Sequence, residues 1–224
     1  MSTFGEIVEP VSRNLWEDWD DSRHDLVKLK WIKKIEVPQE VECITIFEGK
    51  YMSDYIKSQS HNLELLNSVS EIAMQLYKVN TFNRYICTIR DYNVVQSSKI
   101  IELLKDYLLI SKEVIAVQTK PLPEYHTMTP AQDCIIRTVA TTKLSSKPEF
   151  IYPKLEQPNI ISGVSAGVIC WREHINLSGT AIVCYIEHPG DYQINKIQEL
   201  FEKFNLSQNV NSQPSGALNS NLYI

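Results

Sequence analysis

The sequence predicts an α/β protein, built as a three-layer α/β/α sandwich around a mostly parallel sheet. Short apolar, β-branched segments alternate along the chain with segments whose apolar residues recur every three or four positions. The first pattern is typical of buried strands and the second of one helix face. Parallel strands need crossover connections, and helices in those crossovers cover both faces of a sheet.

Four segments have the composition of buried strands, and five have helical periodicity or capping signals. The predicted strands are 41–47, 85–90, 113–119 and 179–187. The predicted helices are 62–79, 97–109, 131–141, 162–175 and a last one from Asp191 to Phe204. The prediction of a helix at 62–79 rests only on the spacing of its apolar residues. The helix at 131–141 rests on its start signals, because Thr129 can cap it, Pro130 can open it and Gln132 can reach back to the cap.

The chain divides into one domain and a C-terminal tail. Its 224 residues and 43% hydrophobic content are sufficient for one core, which we assign to residues 1–206. Residues 207–221 are polar and poor in structure-forming side chains, so we expect 207–224 to be a flexible tail. The tail ends in Leu222, Tyr223 and Ile224, and these apolar side chains gain nothing in water. We therefore predict that they bind a pocket on another protein.

Charge and cysteine content limit the classes of partner and the cellular compartments that are expected for this protein. A net charge of -5 without a basic cluster argues against nucleic acid. No apolar run approaches the roughly 18 residues of a membrane helix, and the acidic first residues do not resemble a secretory signal. Five widely spaced cysteines fit reduced thiols better than disulfides. We expect a protein of the cytoplasm, or also the nucleus, with protein partners and no membrane span.

One motif suggests an enzyme. Residues 163–167 read Gly-Val-Ser-Ala-Gly, which matches the elbow that exposes a nucleophilic serine in α/β hydrolases. Ser165 is therefore the candidate nucleophile of an alternative function, a small hydrolase or transferase. His174 and His188 follow it by only 9 and 23 residues, and no glycine-rich oxyanion loop precedes it. The other interpretation is that these small residues let a helix pack close to its neighbours.

No metal or cofactor is expected. Cys170 with His174 and Cys184 with His188 have similar spacings, but the second pair spans a predicted strand and would lie roughly 13 Å apart. Zinc needs all its ligands at about 2.0–2.3 Å. Neither a P-loop nor a dinucleotide-binding glycine pattern occurs. The aromatic residues Trp16 and Trp19 stand among acidic residues, which is compatible with a protein-binding surface or with packing against the core.

Three segments together resemble the proteasome assembly chaperone 1 family. Residues 4–8 (Phe-Gly-Glu-Ile-Val) resemble its opening, residues 155–160 (Leu-Glu-Gln-Pro-Asn-Ile) its most recognisable internal motif, and residues 220–224 (Ser-Asn-Leu-Tyr-Ile) its C-terminus. The similarity covers about the last 75 residues and the first ten. The long charged insertion expected after the opening in vertebrate members is missing here.

The resemblance implies a chaperone without catalytic activity. Such a protein pairs with proteasome assembly chaperone 2 and binds α subunits while the α ring of the proteasome core particle is built. Family members insert a C-terminal hydrophobic-Tyr-any tripeptide between neighbouring α subunits, and Leu222, Tyr223 and Ile224 match that pattern one by one. The resemblance therefore assigns partner binding to these three residues, and no catalytic, cofactor or metal site.

Overall fold

A mixed β-sheet with helices on both faces forms the body of the protein in the computed structural model. The structure describes residues 28–34, 36–58, 62–80, 82–127, 134–143, 152–186, 197 and 199–204. Across these ranges, no helix is long and apolar enough to cross a membrane.

Seven strands in the described part of the chain form one sheet. They are β1 (Val41–Glu48), β2 (Leu63–Val69), β3 (Met74–Val79), β4 (Arg84–Ile89), β5 (Ser111–Pro121), β6 (Cys134–Ala140) and β7 (Gly179–Ile186). Their order is β2-β3-β4-β1-β5-β7-β6. Neighbours from β4 to β7 are parallel, whereas β2, β3 and β6 join by antiparallel pairing. The predicted α/β class is confirmed, but the sheet is mixed rather than mostly parallel, because antiparallel strands flank the parallel ones at its centre.

Helices form the outer two layers. The described helices are α1 (Lys50–Ser58), α2 (Ser97–Ile110), α3 (Gly163–His174) and a last helical segment at 197 and 199–203. On one face, α2 and α3 pack against the alternate residues of β1 that include Ile44 and Ile46. On the other face, α1 and the last segment pack around Phe47. The three-layer arrangement follows from strands that are buried on both faces.

The segment predicted as a helix at 62–79 is a β-hairpin. Strands β2 and β3 pair antiparallel, with a bulge between Leu65 and Asn67. The bulge shifts the alternation of inward and outward side chains by one residue, so apolar residues fall three and four positions apart without a helix. Ala73 takes a left-handed conformation (φ 45°) where the chain turns into β3.

The predicted helix at 131–141 was also wrong. Residues 134–140 form β6, which pairs antiparallel with β7 in an unbroken register. Its β-branched side chains suit an edge strand, and pairing with β7 overrides the local start signals. Those signals, at 129–132, lie outside the described residues.

Irregular segments cover parts of both edge strands. On β2, the side chain of Asn67 donates to the carbonyl of Lys33 (2.7 Å) and accepts from its backbone amide (3.0 Å). On β6, the amide of Thr138 donates to the carbonyl of Pro153, and the amide of Leu155 donates to the carbonyl of Thr138, both at 2.9 Å. The Thr138 contacts, and the bond from the amide of Ile32 to the carbonyl of Ser68 on β2 (3.0 Å), satisfy backbone groups that an edge strand otherwise leaves to solvent.

A buried arginine joins α2, α3 and the sheet. Arg172 on α3 is fully buried, and burial lowers the pKa of its guanidinium to about 10. It donates to four carbonyl oxygens at 2.6–3.2 Å, those of Leu108, Ser111, Lys112 and Ser178. These acceptors include the end of α2, where a cation is favourable with respect to the helix dipole. The charge therefore fixes the junction between α2 and β5.

Replacing this arginine should destabilise the protein strongly. Arg172→Met should lower the free energy of unfolding by about 3 kcal/mol or more, since four carbonyls lose a charged donor and the bonds to two of them, Leu108 and Ser111, are buried. Urea unfolding measures the change. Arg90→Met is the control, because Arg90 makes a partly exposed ion pair with Asp54 (3.3 Å) and should cost less than about 1 kcal/mol. Equal effects of both substitutions would contradict this role.

Candidate functional site

The carboxyl ends of the parallel strands hold a cluster of buried polar residues beside the start of α3. Glu48 is the last residue of β1, and it is aligned with Gln118 on β5. Both are buried, and both lie on the sheet face that α2 and α3 cover. In open α/β sheets this edge is where ligands commonly bind.

The carboxylate of Glu48 accepts hydrogen bonds from three other segments. Ser165 donates to one of its oxygens through both its amide (2.9 Å) and its hydroxyl (2.6 Å). The other oxygen accepts from the side-chain amide of Gln118 (3.0 Å) and from the hydroxyl of Tyr92. The hydroxyl of Tyr92 also accepts from the amide of Val164 (2.9 Å).

This cluster closes the N-terminus of α3. A helix N-terminus attracts anions because its first amides lack partners within the helix. Here Glu48 supplies the negative charge, and Glu48 and Tyr92 accept from two of those amides. Burial and the bond to Glu48 raise the pKa of the Tyr92 hydroxyl, so it remains a donor at neutral pH. An anion-binding position of the fold is thus filled by the chain itself.

Glycines allow this close approach. Gly163 has a positive φ of 74°, and a Cβ there would overlap the Tyr92 hydroxyl and the Glu48 carboxylate. Further along α3, a Cβ on Gly167 would overlap Ile101 of α2. The prediction that small residues in this segment serve close packing is confirmed.

The structure does not favour Ser165 as a nucleophile. Its side chain is fully buried, and its hydroxyl is bonded to Glu48 rather than to a histidine. Among the described histidines, His174 ends α3 and lies nine residues further on, about 13 Å along the helix axis. His188 lies outside the described residues. A serine with no path to substrate and a carboxylate as its partner lacks the geometry of a nucleophile.

The cysteines lie mostly in the core. Cys43, Cys87, Cys134 and Cys184 are buried, Cys170 on α3 is exposed, and none forms a disulfide. Burial raises the pKa of the Cys87 and Cys184 thiols, which keeps them protonated. Within the described ranges, no group of three or more potential ligands could hold a metal ion.

The segment 155–160 is a structured loop beside the same edge. The side chain of Asn159 accepts from the amide of His126 (2.7 Å) and donates to its carbonyl (2.9 Å). Glu156 accepts from Arg137 (3.0 Å) and from the hydroxyl of Tyr125. The Gln157–Pro158 peptide bond is cis. These bonds attach the loop both to β6 and to the segment after β5.

The structure does not describe the residues predicted to bind partners. Leu222, Tyr223 and Ile224 lie outside the described residues, as do residues 1–27 with Trp16 and Trp19. Sequence reasoning missed Glu48, Tyr92 and Gln118, which the fold brings together from three separate segments. The available signal was an acidic residue at the end of an apolar strand, directly before Gly49.

Comparison with known proteins shows the fold. No family model and no curated protein matches the chain. Among solved structures, it is similar to PbaA from Pyrococcus furiosus, an archaeal homologue of proteasome-assembly chaperone, at a TM-score of 0.55 and 13% identity over 82% of this chain and 88% of PbaA. The chain has the fold of PbaA. A Thermoplasma acidophilum protein of unknown function is also similar, at a TM-score of 0.53 and 10% identity over 89% and 85% of the two chains.

Replacing the Glu48 carboxylate should loosen the start of α3. Glu48→Gln should lower the free energy of unfolding by about 2 kcal/mol, because an amide group would face donors that now share a carboxylate. Chemical denaturation measures it. Glu42→Gln on the same strand is the control, since Glu42 pairs with Arg84 (3.3 Å) nearer the surface and should cost under about 1 kcal/mol. An unchanged free energy of unfolding for Glu48→Gln would contradict this account.

The buried Ser165 hydroxyl should not react. A fluorophosphonate probe should label the native protein no more than it labels Ser165→Ala, since the hydroxyl is enclosed and has no histidine partner among the described residues. Mass spectrometry of the labelled peptides measures this. Selective modification of Ser165 in the native protein would restore the hydrolase hypothesis.

Proposed function

We propose that this protein is a proteasome assembly chaperone without catalytic activity. In this proposal it pairs with proteasome assembly chaperone 2, binds α subunits in the cytoplasm or nucleus, and promotes assembly of the α ring. The observation that carries the proposal is the fold, which the chain shares with an archaeal homologue of proteasome-assembly chaperone over most of both chains. The three sequence segments that resemble the family support the more specific assignment.

The closed edge of the sheet supports a role without catalysis. The position where an α/β enzyme would bind an anionic group is filled by Glu48, and the candidate nucleophile is enclosed behind it. The polar groups of Glu48 and Ser165 are engaged in hydrogen bonds within the chain, so the proposed activity belongs to the surface of the protein. That agrees with a binding function, in which affinity depends on exposed side chains and termini.

The C-terminal tripeptide supplies the proposed contact with α subunits. A free carboxylate can pair with a lysine, the ring of Tyr223 can fill an apolar slot, and Leu222 adds apolar burial. Fifteen residues of polar chain, 207–221, give an r.m.s. reach of roughly 20 Å. Burial of two side chains at about 25 cal/mol/Å² contributes only a few kcal/mol, less the cost of ordering the tail. Docking of the tail alone is therefore reversible, and stable binding needs a second contact.

Removing the tripeptide should weaken α-subunit binding and leave the body intact. Deletion of residues 222–224 should reduce co-purification with α subunits at least tenfold, while far-UV circular dichroism and pairing with the second chaperone stay unchanged. Adding two residues after Ile224 should act in the same direction, because it moves the carboxylate out of the pocket.

A matched variant tests whether the effect belongs to these residues. Asn219→Ala with Asn221→Ala changes the adjoining polar chain and keeps the last three residues, so binding should be preserved. Undiminished α-subunit binding by the deletion variant would reject the role of the tail.

A further inference from the structure

Four exposed lysines stand on the short segment that runs beside β2. They are Lys28, Lys30, Lys33 and Lys34, which we call the lysine strip, and all four are exposed. The strip is one continuous stretch of seven residues, so its two ends lie at most roughly 22 Å apart. It is therefore a single basic surface rather than a set of scattered charges.

The residues between these lysines attach the strip to the body of the protein. Leu29 is buried in the core, and the indole of Trp31 donates to the carbonyl of Leu103 on α2 (3.3 Å). The amide of Ile32 donates to the carbonyl of Ser68 on β2 (3.0 Å). Because the segment is held at several points, its four ammonium groups stay close together on the surface.

Within the described ranges, no ion pair includes a lysine of the strip. Acidic residues do occur on the same segment and on the elements that it touches, and they are Glu36, Glu64, Glu71, Glu102 and Asp106. None of them forms an ion pair with the strip in the described part of the chain. Four like charges on a fixed segment repel one another, so an acidic group that binds there relieves the repulsion.

The negative charge of the chain is concentrated directly before the strip. Residues 1–27 contain seven acidic and two basic residues, which gives them a net charge of -5. Residues 28–224 contain 20 acidic and 20 basic residues (27 minus 7 and 22 minus 2), so their net charge is zero. Five of the seven acidic residues fall within the nine residues 17–25, on both sides of Trp19. We call residues 17–25 the acidic segment.

The acidic segment can reach every lysine of the strip. Asp21 is seven residues from Lys28, a span of up to about 23 Å, whereas Lys34 lies at most about 20 Å beyond Lys28. Residues 22–27 are long enough to reverse the direction of the chain. Attachment to the same chain also raises the effective concentration to the mM range, which compensates for the weakness of single exposed ion pairs.

We propose that the acidic segment of the same chain docks on the lysine strip. Its carboxylates pair with the exposed ammonium groups, and Ile32, which is 63% exposed within the strip, offers an apolar contact to the ring of Trp19. The docked segment covers the surface beside β2, so an acidic protein can bind the strip only by displacing it. This inference does not rest on the proposed function.

Carbodiimide crosslinking of the full chain tests the contact. The reagent joins a carboxylate to a lysine when the two side chains touch, and peptide mass spectrometry of the monomer identifies the pairs. Crosslinks from residues 17–21 to the last three lysines of the strip should form at about 0.05 M NaCl and decrease at least threefold at about 0.5 M NaCl, because salt screens exposed charges. The crosslink between Glu40 and Lys112, which form an ion pair in the structure, is the internal reference.

Charge reversal separates docking from simple nearness in sequence. The NMR order parameters of the backbone amides of residues 17–21 should lie above about 0.6 in the wild type and fall below that value in the double variant Lys30→Glu with Lys33→Glu. Adding Asp20→Lys and Asp21→Lys to this variant should restore them, because the charges are again complementary. Thermal unfolding verifies that each variant is folded.

Lys50→Glu with Lys57→Glu is the matched control. Both lysines are exposed on α1, which packs on the face of the sheet opposite to α2. The double substitution makes the same change of charge as the strip variant and should leave the order parameters of residues 17–21 unchanged. An equal loss of order in this control would show a general charge effect and overturn the assignment.

Other occupants of the strip give different results, and each of them overturns the inference. Crosslinks that join two differently labelled copies of the chain would assign the strip to a second copy. Resonances of the strip that respond to an added nucleic acid or acidic protein, but not to Asp20→Lys with Asp21→Lys, would assign it to that partner. Order parameters of residues 17–21 that are equally low in the wild type and the strip variant would show no docking at all. None of these results affects α-subunit binding by the tail, so the proposed function is tested separately.

Discussion

The carboxylate of Glu48 at the N-terminus of α3 is the interaction on which the arrangement of this protein depends. It joins the end of the central strand β1 to β5, to the segment at Tyr92 and to the first turn of α3. Hydrogen bonds and the helix dipole compensate the charge, and no ion pair with it occurs within the described ranges. Because one buried group connects four segments, the carboxyl edge of the sheet is fixed from inside.

The layered fold could be predicted because it follows from local patterns. The helix predicted at 97–109 is confirmed as α2, and its buried residues recur at the three- and four-residue spacing on which the prediction rested: Ile100, Leu104, Tyr107 and Leu108. Where local patterns predicted the wrong secondary structure, pairing between strands determined the observed one. The bulge beside Leu65 gives a hairpin the spacing of a helix, and pairing with β7 turns a segment with helix start signals into β6.

The polar cluster could not be predicted from the sequence in the same way. Glu48, Tyr92 and Gln118 are far apart along the chain, and only the parallel register of β1 with β5 brings two of them side by side. The serine motif was visible because it is contiguous, but its meaning depended on partners that spacing cannot supply. In the structure the motif forms the start of α3, whose amides donate to the Glu48 carboxylate. Gly163 allows this approach because it has no side chain.

The segments that lie along β2 and β6 restrict how another protein can join this one. A bare sheet edge invites a foreign strand, which pairs by backbone hydrogen bonds and therefore with little discrimination. Where Ile32 meets Ser68, and where Pro153 and Leu155 meet Thr138, those backbone positions are already taken. A protein that binds at these places must recognise side chains, which is more selective than strand pairing and disfavours stacking of copies through the sheet edges.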